Sequence, residues 1–206
     1  MLISNDEEFW NTLTHFIGLI GSIAGIFFLL YFNSQLPLLS FLGVLLFGFG
    51  LVSVYLSSTL YHYFSEPILK EKLRIFDHIS IYYLIAGSYA PVCLITLLDK
   101  SGLYIFIAVC SIAIFGTLFK LFYTGKYEKL SLALYLLMGW VIIVDIRTLF
   151  EILELNAVIL LVLSGLSYTI GTIFYSRKEK YAHTIWHLFV LSGSTFHYFF
   201  VLFYII

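Results

Sequence analysis

The stretch FWNTLTHFIGLIGSIAGIFFLLYFNSQLPLLSFLGVLLFGFGLVSVYLSSTLYHYFS, residues 9–65, contains no Asp, Glu, Lys or Arg. A transmembrane helix needs about 20 apolar residues to cross about 30 Å of hydrocarbon, so this stretch is long enough for two such helices. A polar turn at residues 33–37 (NSQLP) interrupts it, and its proline suits the start of a helix. The stretch therefore predicts two membrane-spanning helices joined by a short turn.

Five more charge-poor runs follow along the chain. The predicted spans are residues 11–32, 38–63, 77–98, 102–123, 130–149, 156–175 and 183–206. Their apolar residues are continuous rather than alternating, which favours helices over a β-barrel. The connections are too short for another domain. We therefore expect an all-α integral membrane protein, with residues 1–206 forming a single domain that is a seven-transmembrane-helix bundle.

The composition favours a membrane protein over a soluble one. Hydrophobic residues make up 61% of the chain and charged residues only 11%, whereas soluble domains carry about 25% charged residues. Membrane lipids are thus the expected partners, in the cell membrane. The net charge of −1, without a basic run, indicates no nucleic-acid partner. The acidic segment Met1–Glu8 lacks Lys and Arg, unlike a cleaved signal peptide, so we expect the first span to be retained.

Lys and Arg are distributed unevenly between the predicted connections. Nine of the 11 fall on the side of the N-terminus: Lys70, Lys72, Arg74, Lys120, Lys126, Lys129, Arg177, Lys178 and Lys180. Only Lys100 and Arg147 fall on the other side. Because cytoplasmic loops are enriched in these residues, the pattern predicts a cytoplasmic N-terminus and a C-terminus outside.

The predicted topology brings most histidines to one membrane depth. Those near the cytoplasmic face are His15, His62, His78, His183 and His187, whereas His197 lies deeper. Ionisable groups are costly in a bilayer, so such a cluster indicates function. The alternative for each histidine alone is a hydrogen bond to a headgroup or a neighbouring helix. The convergence of three separate segments favours a shared site.

His183 and His187 are the strongest candidate ligands. A spacing of four residues places them on one helix face about one turn apart. With His62 as a third imidazole, one tetrahedral position would stay open for water, as in catalytic zinc sites. Ser58 lies one turn from His62, and Asp77 could orient a ligand or accept a hydrogen bond from the water. The candidate metal ligands are thus His62, His183 and His187, and the candidate catalytic residues are Asp77 and Ser58.

Other polar residues have simpler interpretations. Glu8, Asn11, Thr14 and His15 share roughly one helix face, which predicts a polar seam against other helices, with catalysis as the second interpretation. His78 is expected to face the membrane interface. His197 is expected to make a packed polar contact, because it lies about 15 Å along the helix from His187.

Several motifs in order resemble the bacterial hemolysin III family, within the wider superfamily of seven-helix progestin and adiponectin receptors. They are E-x-x-N-x-x-T-H (8–15), STLYH (58–62), R-x-x-DH (74–78), AGSYAP (86–91), YLLMGW (135–140), GLSYTIG (165–171) and HTIWH (183–187) with His197. These motifs span nearly the whole chain. One departure is Ser164, where the family leads us to expect a glycine, and it concerns helix packing rather than the metal site.

The resemblance implies a zinc ion held by His62, His183 and His187, with Ser58 and Asp77 around it. The architecture is also similar to alkaline ceramidases, in which a zinc-activated water attacks a lipid amide. By this comparison Asp77 would accept a proton and Ser58 would hydrogen-bond the developing oxyanion. Two other functions stay open: a non-enzymatic membrane-homeostasis or receptor-like protein with structural zinc, and a membrane-damaging cytolysin. Against the last, seven predicted spans should retain the chain in its own membrane.

Overall fold

The computed structural model describes residues 5–34 and 37–206. Two sequence predictions therefore fall partly outside the described residues. The uncleaved N-terminal segment includes residues 1–4, and the turn at residues 33–37 includes Gln35 and Leu36.

Seven helices long and apolar enough to cross a membrane make up the described part of the chain. They are α1 (Asn5–Phe32), α2 (Leu38–Tyr63), α3 (Pro67–Thr96), α4 (Gly102–Tyr123), α5 (Glu128–Ile152), α6 (Leu155–Tyr175) and α7 (Ala182–Tyr204). Each contains a long apolar stretch with few charged residues, so it can be surrounded by lipid instead of water. The predicted all-α architecture of seven transmembrane helices is confirmed.

Helix α3 begins well before Asp77, where the apolar span was expected to start. The Glu66 carboxylate accepts hydrogen bonds from the backbone N–H groups of Ile68 (3.0 Å) and Leu69 (2.6 Å). Pro67 occupies the first helical position, where its missing N–H costs nothing. Hydropathy locates only the apolar part of this helix, whereas the capping residues set where it begins.

Two helices are irregular toward the end of the bundle away from the histidine cluster. Helix α3 closes with a π-helical segment, Val92–Thr96, directly after Pro91. Helix α5 contains a 3₁₀ segment, Val141–Asp145. The Tyr89 hydroxyl donates to the carbonyl of Gly139 (2.8 Å) and accepts from the N–H of Ile142 (3.0 Å). This side chain of α3 therefore satisfies backbone groups beside the irregular part of α5.

Helices α2 and α3 approach each other through glycines. A Cβ atom added at Gly50 would lie 2.6 Å from the Tyr83 carbonyl oxygen, and one at Gly87 would lie 2.6 Å from that of Leu46. Small residues allow backbones to approach this closely in membranes. The contact sets Ser58 and His62, on α2, beside Asp77 on α3. Helix α7, which carries the other candidate ligands, packs against α1 and α6.

Candidate metal centre

Three histidines from two helices meet at one end of the bundle. His62 lies at the end of α2, while His183 and His187 lie in the first turns of α7. One ring nitrogen from each can be chosen so that all three lie within 4.8 Å of one another. His62 and His187 are buried, and His183 is partly buried. The predicted convergence of these three side chains is confirmed.

The chemistry of this cluster fits a zinc ion. Imidazole nitrogens bind zinc at about 2.0–2.1 Å, so three ligands of a tetrahedral ion stand about 3.3 Å apart. The three nitrogens here lie within 4.8 Å of one another, a separation that approaches this spacing. The Nε2 atom of His62 is buried without a hydrogen-bond partner, a costly state that a bound cation would relieve.

Hydrogen bonds fix which ring nitrogen is free in two of these histidines. The Nδ1 atom of His62 lies 2.6 Å from one carboxylate oxygen of Glu8, and the other carboxylate oxygen pairs with Lys70 Nζ at 2.9 Å. The Nδ1 atom of His187 lies 3.1 Å from the main-chain carbonyl oxygen of Asn11. Both oxygens can only accept, so each Nδ1 carries the proton. The Nε2 atom of each ring therefore has a free lone pair for a metal.

Ser58 and Asp77 lie beside the cluster, at one end of a cavity of about 330 Å³. His183 and His187 line the same end. Ser58 and Asp77 are both buried, and both line this cavity. The structure thus places both candidate catalytic residues next to the histidine cluster; their roles stay predictions.

The rest of the cavity is largely apolar. Its walls come mainly from α3, α5, α6 and α7, with side chains such as Leu132, Ile143 and Val162. Its volume falls within the range of about 300–1,000 Å³ that is usual for small-molecule sites. The cavity therefore combines a polar end, where His183 and His187 lie, with an apolar body. No single sequence motif predicts it, because its walls come from separate helices.

The expected polar seam on α1 is confirmed, since Asn11, Thr14 and His15 are all buried. The contact between this seam and the candidate ligands was not predicted from the sequence. The His15 ring stacks on His187 with centroids 3.6 Å apart, and both His15 nitrogens are buried without hydrogen-bond partners. The sequence feature that could have indicated this contact is that Glu8 and His15 share one face of α1, at the same membrane depth as the histidine cluster.

The remaining histidines differ in outcome. His78 does not face the interface as expected, because its Nδ1 atom is buried and accepts from Lys120 Nζ at 3.1 Å. Lys120 is itself fully buried and pairs with Glu128 at 2.9 Å, which compensates its charge. His197 makes the expected packed contact, with Nε2 donating to the Ser88 carbonyl at 2.9 Å. Ser164 likewise serves packing, through a 2.9 Å bond to the Gly193 carbonyl.

Sequence comparisons add independent information. The profile of the family described as "Haemolysin-III related" matches residues 3–198. "Hemolysin-3 homolog" of Bacillus subtilis is 40% identical over 203 residues, covering 96% of this chain and 94% of that protein. "Hemolysin-3" of Bacillus cereus is 39% identical over 202 residues, covering 97% and 92%. The human "Monocyte to macrophage differentiation factor" is 29% identical over 166 residues, covering 75% and 66%.

Proposed function

The chain belongs to the Haemolysin-III related family, within the progestin and adiponectin receptor superfamily, and from this premise we propose that it is a zinc-dependent intramembrane hydrolase of lipid amides. It is a multi-pass bacterial membrane protein. One observation carries the proposal: three histidines are able to hold an ion, and two of them, His183 and His187, line a largely apolar cavity together with Ser58 and Asp77.

His62, His183 and His187 would hold the ion, and their three nitrogens leave a fourth tetrahedral position open. A bound zinc ion supplies a Lewis acid that acidifies water and polarises a carbonyl group. Asp77 is the proposed proton acceptor, because it is the carboxylate that lines the cavity. Ser58 lines the same cavity, where its hydroxyl would donate a hydrogen bond to the developing oxyanion.

The cavity supports an amphiphilic substrate. An acyl chain would occupy the apolar body, while its amide carbonyl would lie at the polar end. Large apolar side chains on the outer surfaces of α5 and α6, such as Leu137 and Ile170, are exposed, as expected for helices that face lipid. The distribution of Lys and Arg places the polar end on the cytoplasmic side in this proposal.

The test is a direct assay of the detergent-purified, zinc-supplemented protein against a panel of N-acyl sphingoid bases and N-acyl amino acids. We expect release of free fatty acid, measured by mass spectrometry, and its loss in His187→Ala. An alkaline ceramidase run in parallel is the positive control. If that enzyme turns over the panel while this protein holds zinc and releases no fatty acid, the hydrolase proposal is wrong.

The same preparation tests the competing cytolytic function, since the Bacillus cereus relative is called a hemolysin. Seven apolar helices hold the protein in a bilayer, so we expect no lysis of erythrocytes at nanomolar concentration. Haemoglobin release at that concentration, without fatty-acid release from the panel, would replace hydrolysis with membrane damage as the activity.

A further inference from the structure

The polar face of α1 contacts both helices that carry the candidate metal ligands. Glu8 reaches His62 on α2, and the Asn11 carbonyl reaches His187 on α7. The Asn11 side-chain oxygen also accepts from the Thr184 hydroxyl at 2.6 Å, next to His183. Helix α1 supplies no candidate ligand, but it thus contacts both α2 and α7, which supply all three candidate ligands.

Glu8 is fixed at the point where it meets His62. Its second carboxylate oxygen accepts from Lys70 Nζ at 2.9 Å. Lys70 Nζ also donates to the carbonyl oxygens of Tyr61 (3.0 Å) and Phe64 (3.3 Å). These carbonyls lie at the C-terminal end of α2, where backbone acceptors lack helical partners. Lys70 therefore fastens Glu8 to the same helix end that carries His62.

A carboxylate on the far nitrogen of a metal-binding histidine has known physical effects. It holds the ring in one tautomer, fixes its orientation and makes the ligating nitrogen more basic. The bond from His62 Nδ1 to Glu8 is short, at 2.6 Å, and leaves the buried Nε2 atom without a partner, facing the other two histidines. Glu8 itself is not one of the three residues that could hold the ion.

From these contacts we infer that Glu8 is a positioning residue that sets metal affinity through His62, with Lys70 holding Glu8 in place. The inference rests on the proposed zinc site and adds to it a residue that makes no bond to the ion. It also gives the acidic start of α1 a function beyond helix packing.

On α7, His187 is positioned by groups of α1 that are harder to remove by substitution. His187 Nδ1 bonds to the main-chain carbonyl of Asn11, with the Thr14 hydroxyl at 3.2 Å. His15 covers one face of the His187 ring. Because the first of these partners is backbone, a side-chain substitution does not delete it. Glu8 is therefore the position at which the inference is tested most cleanly.

The experiment compares wild-type protein with Glu8→Gln, Glu8→Ala and the matched control Glu71→Gln, which alters an exposed carboxylate on α3. Zinc affinity is measured by competition with a chromogenic chelator. We expect Glu8→Ala to weaken binding about 10–100-fold, the usual effect of removing such a partner. Glu8→Gln keeps an oxygen acceptor for Nδ1–H but loses the charge, so a smaller loss is expected. Glu71→Gln should match wild type.

Two further readouts separate positioning from a merely structural role. In the metal-free protein, ¹⁵N NMR should show His62 protonated at Nδ1 in wild type and Glu8→Gln, and a tautomer mixture in Glu8→Ala. The visible spectrum of the cobalt(II)-substituted protein should change in Glu8→Ala. The metal-free melting temperature should stay close to wild type, whereas the increase on adding zinc should shrink.

Equal zinc affinity and equal cobalt spectra in wild type and Glu8→Ala would overturn the inference and leave the proposed function standing. A drop in melting temperature of the same size with and without zinc would also overturn it, because Glu8 would then only support the fold. A wild-type protein that binds no zinc would instead remove the proposed function itself.

Discussion

Replacing Asp77 with asparagine is expected to reduce lipid-amide hydrolysis by about 10²–10⁴-fold, the usual contribution of a proton-transfer group. The substitution keeps the size and shape of the side chain and removes its ability to accept the proton. Asp77 is not one of the three residues that could hold the ion, so zinc content should stay at the wild-type level. The measurement is the rate of fatty-acid release, with zinc content determined on the same samples.

The control for this prediction is Asp99→Asn, which changes an exposed aspartate in the α3–α4 connection and should leave the rate unchanged. The result also separates the two zinc-dependent functions. If zinc only joins α2 to α7, Asp77→Asn should retain its function in cells as long as it retains the metal. A variant with full zinc and full hydrolytic rate would show that Asp77 is not the proton acceptor.

The largest expected effect on stability comes from Gly87→Leu. At this position even a Cβ atom would lie 2.6 Å from the Leu46 carbonyl oxygen and 3.3 Å from the Phe47 Cα atom. The obstacle is backbone, which cannot rotate away, so α2 and α3 must move apart. Overpacking of this kind costs about 1–3 kcal/mol, and a rigid backbone obstacle favours the upper part of that range. Thermal unfolding in detergent should show a clearly lower melting temperature.

The matched control is Gly21→Leu, because Gly21 is exposed on α1 and has no neighbouring atom within 4 Å of an added Cβ. It should melt at or slightly above the wild-type temperature, since leucine favours helix more than glycine. Separation of α2 from α3 also moves Ser58 and His62 away from Asp77. Gly87→Leu should therefore lose activity even at temperatures where it stays folded. Equal melting of the two variants would contradict the close α2–α3 contact.

Much of the fold could be predicted because lipid imposes a simple rule on the chain. Long runs without charge, such as residues 9–65, must form spanning helices, and their number follows from their length. The rule does not predict where each helix begins and ends, because helix ends depend on local hydrogen bonds. The Glu66 cap extends α3 well past its apolar part for this reason. Membrane orientation stays a prediction from the distribution of Lys and Arg.

The candidate ligands could be predicted because depth and helical spacing are both readable from sequence. His183 and His187 share a face by periodicity, and His62 matches their depth. The contacts of Glu8 with His62 and of Lys120 with His78 could not be predicted in the same way. They depend on which helices are neighbours and how each is rotated about its axis, and hydropathy fixes neither. The cavity has the same origin, since it lies between helices distant in sequence.

The three-histidine zinc site is tested most directly by measuring the metal content of detergent-purified protein with elemental mass spectrometry. The preparations are wild type, His62→Ala, His187→Ala and, as control, His197→Ala, whose partner is the Ser88 carbonyl rather than the cluster. We expect about one zinc per chain in wild type and the control, as for a single three-histidine site, and loss of zinc in the other two. A wild-type protein free of metal after zinc supplementation, or zinc retained in both His62→Ala and His187→Ala, would show that these histidines do not form the zinc site.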